Sequence, residues 1–172
     1  MMLAMGIIRD VNPFEIVRHP WFVSAFLAGA LAQLFKFIGA WRKTGRFSLD
    51  SLRGAGGMPS AHSSLVAAIT AAIGFTDGFD APYAMIALGF AVVVFADAAT
   101  LRREAGEHAK LLNRLVVKMN DRLDEEDRIE AAKLRERLGH KRREVLAGIV
   151  FGTLVAFAVC SVWDFWKEPP FS

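Results

Sequence analysis

The chain has 172 residues and a formal net charge of +3 at pH 7, and 53% of its residues are hydrophobic. This apolar content is above that of soluble globular domains and predicts a membrane protein. Only helices and closed barrels satisfy their backbone inside a bilayer, and no segment alternates as barrel strands do, which excludes a barrel. Cys160 is the single cysteine, so an intramolecular disulfide is excluded and a packing role is expected.

The chain order of the apolar segments predicts the fold. Residues 1–20 predict an interfacial segment broken at Pro13, and not a cleaved signal peptide, because no small-residue cleavage site follows the apolar run. Four stretches are long enough to cross a hydrocarbon core of roughly 30 Å as helices. They are Trp21–Trp41, Met58–Phe75, Pro82–Thr100 and Val145–Trp163. We therefore expect an all-α membrane bundle of about four transmembrane helices, with residues 1–172 forming one domain.

A charged segment, residues 101–143, separates the third and fourth spans. Its Lys, Arg, Glu, Leu and Ala favour helix, and a solvated helical insertion is expected there in preference to a dedicated partner site. The acidic cluster DEEDRIE, residues 124–130, predicts a bend or turn between two helical pieces. One uninterrupted helix is the alternative.

Basic residues indicate how the bundle is oriented. Four spans place residues 42–57 and 101–143 on one side and both termini on the other. Most of the Lys and Arg residues fall on the first side, whereas Arg9, Arg18 and Lys167 fall on the second. By the positive-inside rule the first side faces the cytoplasm, in what we expect to be a bacterial plasma membrane.

Polar residues near the ends of the spans gather on that same side. An ionisable group at membrane depth is costly and marks a functional candidate unless it reaches the interface, as Lys36 could do by snorkelling. The candidates are Lys36, Arg42, Arg46, His62, Asp97, Arg102, Arg103, His140 and Glu144. Cations with two histidines suit phosphoryl transfer, in which one imidazole attacks phosphorus and the other protonates the leaving oxygen. Glu144, four residues after His140, could fix the orientation of that ring.

The stretch GGMPSAHSSL precedes the second span and predicts a phosphate pocket. Gly57 lets the backbone approach a ligand, and Pro59 suits a first helical turn. The N–H groups of Ser60, Ala61 and His62 would then form an anion site. The alternative is a capped membrane helix in which Ser60 or Ser63 bonds the backbone.

The fourth span begins in a similar way. Gly139 permits a sharp entry, and His140 is expected in the first helical turn. Gly148 and Gly152 form a GxxxG face, which could bring the His140 end against the His62 end or serve a second subunit.

Three blocks, GGMPSAHSSL, DAATLRREAGEHAKLLN and LGHKRREVLAG, resemble the divergent branch of the type 2 phosphatidic acid phosphatase family. The resemblance implies that His62 is the general acid and that His140 is the nucleophile forming a phosphohistidine. It implies that Glu144 takes the place of the aspartate that orients the nucleophile. Lys36 fits the family's first motif, in which Arg42 or Arg46 would replace a missing arginine.

The chain departs from the broader superfamily at several positions. Ala61 replaces a glycine of the second motif, and Lys43 and Thr44 replace Arg-Pro in the first. The Ser-Arg pair of the third motif is absent, because Lys133 and Leu134 occupy its positions. Asp97, Arg102 and Arg103 are expected to supply what the first and third motifs lack.

These observations predict a metal-independent membrane phosphatase or phosphotransferase, a phosphoric ester hydrolase acting on a lipid phosphate or diphosphate. No cofactor and no nucleic-acid partner are expected, and a homo-oligomer is possible. One alternative is an inert membrane protein that binds anionic lipids or a cytosolic partner through its basic face. Another is a metal site at His140, Glu144 and Asp97.

Overall fold

The structure, a computed structural model, describes residues 13–45, 57–130, 132–136 and 139–167. Within these ranges it contains six α-helices and one short 3₁₀ turn. The helices are α1 Pro13–Arg18, α2 Pro20–Thr44, α3 Ala61–Asp77, α4 Pro82–Ala99, α5 Leu101–Asn120 and α6 Arg142–Lys167, and the 3₁₀ turn is Glu125–Asp127. No strand occurs in the described ranges, and the all-α class is confirmed.

Proline and glycine set the limits of the long helices. Proline stands at the first position of α2 and of α4, where its fixed φ suits a helix and its missing N–H costs nothing. The His19 ring caps α2 by accepting a hydrogen bond from the Trp21 backbone N–H at 3.4 Å. α2 ends at Gly45, whose φ of +63° lies in the left-handed region and whose N–H bonds the Trp41 carbonyl.

Three helical stretches are long and apolar enough to cross a membrane: Pro20–Arg42, Pro82–Asn120 and Arg142–Trp163. The predicted second span corresponds to α3, which has 17 residues and would be about 26 Å long at 1.5 Å per residue. α3 occupies the centre of the bundle and packs against α2, α4 and α6. The count of four spans stays a prediction.

Small residues let α3 and α6 approach closely. A methyl group added at Gly148 would lie 2.7 Å from the Ser60 carbonyl oxygen, and one at Gly152 would overlap the Ser64 carbonyl oxygen. The GxxxG face therefore packs against the beginning of α3. Cys160 is 3% exposed and belongs to a buried cluster, which confirms its packing role. The rest of that cluster is Ala28, Ala68, Ala71, Ala72 and Ala156.

Among the described residues of the charged segment, α-helix is found in α5 and again only where α6 begins at Arg142. α5 confirms the first helical piece, and the 3₁₀ turn Glu125–Asp127 confirms the turn at the acidic cluster. The prediction of a second helical piece after the turn is wrong, because residues 128–130 and 132–136 are not helical.

Two asparagine side chains of α5 hold this returning segment. Asn120 donates to the Ile129 carbonyl at 3.1 Å and accepts the Ile129 N–H at 2.9 Å. Asn113 donates to the Leu134 carbonyl at 2.9 Å and accepts the Leu134 N–H at 3.0 Å. These side-chain amides take the place of the hydrogen bonds that a second helix would make.

Candidate active site

The C-terminal ends of α2 and α4 and the N-terminal ends of α3 and α6 meet at one end of the bundle. The Ser60 N–H donates to the Glu144 carbonyl at 3.1 Å, which joins the beginning of α3 to that of α6. The His140 N–H donates to the Ala98 carbonyl at 3.1 Å, which ties the entry of α6 to the last turn of α4. The Lys36 side chain lies beside Gly57, where an added methyl group would be 3.6 Å from Lys36 Cγ.

Ser60 is the N-cap of α3, as predicted by the alternative of a capped membrane helix. Its hydroxyl accepts the Ser63 N–H at 3.4 Å and the Ser63 hydroxyl at 3.0 Å, and the side chain is fully buried. Two expectations are corrected. Pro59 precedes the N-cap, so it is not in the first helical turn. The Ser60 N–H is not available to an anion, because the Glu144 carbonyl accepts it.

α6 begins with one half of a capping box. The Lys141 carbonyl accepts the Val145 N–H at 3.3 Å, while the Glu144 carboxylate reaches back to accept the Lys141 N–H at 3.2 Å. A glutamate three residues after the N-cap commonly makes this bond. The helix starts at Arg142, so His140 lies two residues before it and not in its first turn as expected. The orienting contact of Glu144 on the His140 ring stays a prediction.

Gly139 makes the sharp entry to α6 possible, as predicted. Its φ is +78°, which side-chain-bearing residues rarely adopt. An added methyl group would also lie 2.5 Å from the Arg103 backbone nitrogen and 2.8 Å from the Arg102 carbonyl carbon. Gly139 therefore rests directly on the first turn of α5, and only glycine fits there.

His140 is buried among positive charges. The residue is 8% exposed, and within the part of the chain described its Nε2 atom is buried with no hydrogen-bond partner. Burial lowers the pKa of His140 below its ordinary value, and the charge of Lys36 lowers it further. The Glu144 carboxylate opposes this shift, and His62 and Arg102 add smaller lowering effects. The lowered pKa favours the neutral ring near pH 7.

These electrostatic effects also show which predicted residues are neighbours. His62 is exposed, yet its charge acts on His140, so the two histidines lie near each other. Lys36 is half-buried and acts on both His140 and Glu144. Its ammonium therefore belongs to this cluster, and the snorkelling alternative is not needed to explain its place in α2.

Arg102 and Arg103 have different surroundings. Arg102 Nε donates to the Asp97 carboxylate at 2.7 Å, in a pair whose side chains are 58% and 35% exposed. Arg103 lines an open cleft of about 300 Å³ beside the cluster. The other lining residues are Ala99, Thr100, Glu104, Glu107, His108 and Arg142. Arg142 was not among the predicted phosphate ligands, and its distance in sequence from Arg103 gave no signal that the two residues would line the same cleft.

The remaining predicted phosphate ligands are less central. Arg42 is exposed on the last turn of α2, about 9 Å beyond Lys36 along the helix axis. Arg46 lies outside the described residues. Among the residues described, no three His, Cys, Asp or Glu side chains gather as metal ligands. The alternative of a metal site at His140, Glu144 and Asp97 therefore has no support from the structure.

Comparison with known proteins identifies the family. The model of the divergent PAP2 family, in which PAP2 is the type 2 phosphatidic acid phosphatase, matches residues 17–155. The uncharacterized membrane protein YuiD of Bacillus subtilis (strain 168) is 32% identical over 152 residues, which are 84% of this chain and 96% of YuiD. No solved structure matches the chain. Together with the apolar helices, these matches establish that the chain is an integral membrane protein belonging to the divergent PAP2 family.

Proposed function

We propose that this protein is a membrane phosphatase or phosphotransferase that acts on a lipid phosphate or diphosphate through a phosphohistidine at His140. The observation that carries the proposal is the buried Nε2 of His140, which has no hydrogen-bond partner among the described residues and belongs to a ring whose lowered pKa favours the neutral form. A histidine nucleophile needs this state, because a protonated imidazole has no lone pair for phosphorus. Family membership favours the same chemistry.

The first step forms a bond between His140 Nε2 and phosphorus and breaks the bond between phosphorus and the lipid oxygen. His62, which is exposed at the cluster, acts as the general acid and donates a proton to the departing oxygen. Lys36 and Arg102 contribute positive charge near His140, where the non-reacting phosphate oxygens would lie. The product of this step is a neutral lipid alcohol or, from a diphosphate, a lipid monophosphate.

The second step returns the enzyme to its starting state. His62, now neutral, removes a proton from water as the water oxygen attacks phosphorus and the bond between phosphorus and His140 breaks. Inorganic phosphate leaves, and His62 is again protonated. An alcohol in place of water would give phosphotransfer by the same route. The charge is supplied by side chains at every stage, so the proposed reaction needs no metal.

The lipid character of the substrate follows from the position of the cluster. Lys36 belongs to the stretch Pro20–Arg42, and His140 immediately precedes Arg142–Trp163, both apolar enough to span a bilayer. A phosphate bound there would lie at the membrane surface, with an attached acyl or prenyl chain in the bilayer. On the basis of the positive-inside rule, we propose that this surface is the cytoplasmic one.

Phosphate release from purified protein in mild detergent tests the proposal. The substrates are a lipid monophosphate and a lipid diphosphate, each with and without EDTA, and the variants are His140→Ala and His62→Ala. His19→Asn is the matched control, because His19 is exposed at the far end of α2 and asparagine can still cap that helix. We expect EDTA-resistant release that His140→Ala abolishes and His19→Asn retains.

The two substrates separate the roles of the histidines. An alkoxide leaving group needs a proton, whereas phosphate leaves with less assistance, so His62→Ala should impair monophosphate hydrolysis more than diphosphate hydrolysis. Lack of release from every substrate by folded protein would instead favour the alternative of an inert anionic-lipid or partner-binding protein. Such a protein would lose affinity gradually as individual Lys or Arg residues are replaced.

A further inference from the structure

α5 carries a row of exposed side chains that the proposed chemistry does not use. The row repeats at alternating intervals of four and three residues, the spacing of a coiled-coil seam. Its members are Leu101, Ala105, His108, Leu112, Leu115 and Met119. All six are exposed, and the four large apolar members are 64%, 49%, 46% and 50% exposed in chain order. We refer to these six residues as the α5 seam.

A different face of α5 already has a partner within the chain. Gly106 and Ala109 are buried, and Asn113 and Asn120 hold the returning segment. The α5 seam lies beside this packed face and is exposed, and His108 within it also lines the cleft that Arg103 and Arg142 share. Large apolar side chains in such a row are typical of a surface that another molecule covers. Leu111 and Val117, which are off the row, are exposed as well.

We propose that the α5 seam pairs with the α5 seam of a second copy of this chain, in antiparallel orientation. Antiparallel pairing centred at residue 110 sets every seam residue opposite another seam residue. Leu101 faces Met119 of the second copy, Ala105 faces Leu115, and His108 faces Leu112, and each contact recurs by symmetry. Small Ala105 is thus matched with a large residue.

Charges beside the seam select this orientation. Glu104 and Lys118 flank the seam on the same side, and antiparallel pairing brings Glu104 of each copy near Lys118 of the other. Parallel pairing would set His108 against His108 and would leave Glu104 opposite the buried Ala109. A helix lying on an anionic bilayer would be expected to have basic residues on both flanks, and Glu104 does not fit that pattern. The second copy is therefore the occupant that the charges favour.

The break between α4 and α5 is compatible with such a dimer. Thr100 leaves helical conformation, with φ −123° and ψ −76°, so α5 does not have to continue the direction of α4. Two copies inserted alike in one membrane are related by an axis along the membrane normal, and helices lying across that axis are antiparallel. Glu104 and His108 also line the cleft beside the candidate active site, so the second copy would form part of the cleft wall.

Disulfide cross-linking of the full-length protein in lipid nanodiscs tests the pairing. Cys160→Ala removes the native thiol, and Leu101→Cys and Met119→Cys are then introduced singly and together. We expect oxidation to give a covalent dimer from the double variant and not from either single variant, because antiparallel pairing sets position 101 against 119. Arg114→Cys, on the charged face of α5, reports random collisions.

A charge exchange provides the second measurement. Glu104→Lys should raise the dimer Kd about tenfold, because the new lysine of each copy would lie near Lys118 of the other. Combining Glu104→Lys with Lys118→Glu should return the Kd to its original value. Self-cross-linking of a single seam variant would overturn the antiparallel arrangement. A monomeric mass without cross-linking at any seam position would overturn the dimer itself and would leave the bilayer surface as the occupant.

Discussion

The backbone N–H of Ser60 donates to the carbonyl of Glu144 at 3.1 Å, joining the first turns of α3 and α6. His62 follows Ser60 by two residues, and His140 precedes Glu144 by four. A single backbone hydrogen bond thus links two segments that are about eighty residues apart in sequence, each carrying one histidine. Because backbone groups make the link, it does not depend on the side chains that would perform the chemistry.

Close packing of α3 on α6 should be sensitive to one methyl group. Gly152→Ala would place its methyl group on the Ser64 carbonyl oxygen, and we expect a loss of roughly 1–3 kcal/mol in unfolding free energy. Gly89→Ala is the control, because nothing lies within 4 Å of that position. Thermal unfolding in detergent compares the two. Equal stability of both variants would contradict the close approach.

Gly139→Ala should lower the free energy of unfolding by more than the strain of a left-handed backbone alone can explain. Gly45 has φ +63° with nothing within 4 Å, whereas Gly139 has φ +78° and the Arg103 backbone at 2.5 Å from an added methyl group. Gly45→Ala should lower the free energy of unfolding by about 1 kcal/mol, and Gly139→Ala should lower it by clearly more. Gly139→Ala should also lower phosphate release by moving His140. Unfolding and activity assays on both variants measure the difference, and equal losses would count against the contact with α5.

The pH profile should report the environment of His140. Its folded-state pKa lies below the ordinary value of 6.5. The stability that comes from neutral His140 is therefore complete above about pH 6.5 and is lost as the pH falls through the folded value. Attack on phosphorus needs the same neutral ring, so kcat/KM should fall over the same acidic range.

Replacing the charged neighbours of His140 should shift the pH profile of kcat/KM in opposite directions. Lys36→Met removes a charge that lowers the His140 pKa, so the acid limb of kcat/KM should move to higher pH. Glu144→Gln removes a charge that raises the His140 pKa, so the acid limb of kcat/KM should move to lower pH. Lys110→Met, on α5, serves as the control and should leave the limb in place. Shifts in the same direction for Lys36→Met and Glu144→Gln would be incompatible with the described cluster.

The asparagine contacts should hold residues 128–130 and 132–136 against α5. Asn113→Ala removes both hydrogen bonds to Leu134, and trypsin should then cleave after Lys133 and Arg135 several times faster. Asn113→Asp keeps an acceptor for the Leu134 N–H and should give an intermediate rate. Limited proteolysis followed by mass spectrometry measures the cleavage. Unchanged rates in Asn113→Ala would show that other contacts hold the segment.

Hydropathy was sufficient to predict the apolar helices, because span length and composition are local properties of the chain. The gathering of His62, His140 and Lys36 also followed from topology, since helices that cross together bring alternate ends to the same side. The non-helical segment after the acidic turn was not predictable in this way. Its residues favour helix individually, and the hydrogen bonds from Asn113 and Asn120 outweigh that preference.

The chemistry of helix ends was predicted less well than their positions. Sequence spacing suggested that Glu144 would orient His140, which stays a prediction, and it gave no indication that the Glu144 carboxylate would accept the Lys141 N–H. Spacing also left the Ser60 N–H free for an anion, whereas the Glu144 carbonyl of a distant helix accepts it. The error on Ser60 arises because capping partners depend on the residue at which a helix starts and on which helices meet there.

A covalent phosphohistidine at His140 is the most direct test of the proposed mechanism. The protein would be mixed with lipid monophosphate labelled with ³²P, quenched in alkali, and digested for mass spectrometry under conditions that preserve phosphohistidine. We predict a base-stable, acid-labile label on His140, formed more slowly in His62→Ala and absent from folded His140→Ala. Label on another residue, or label retained by His140→Ala, would contradict the assignment of His140 as the nucleophile.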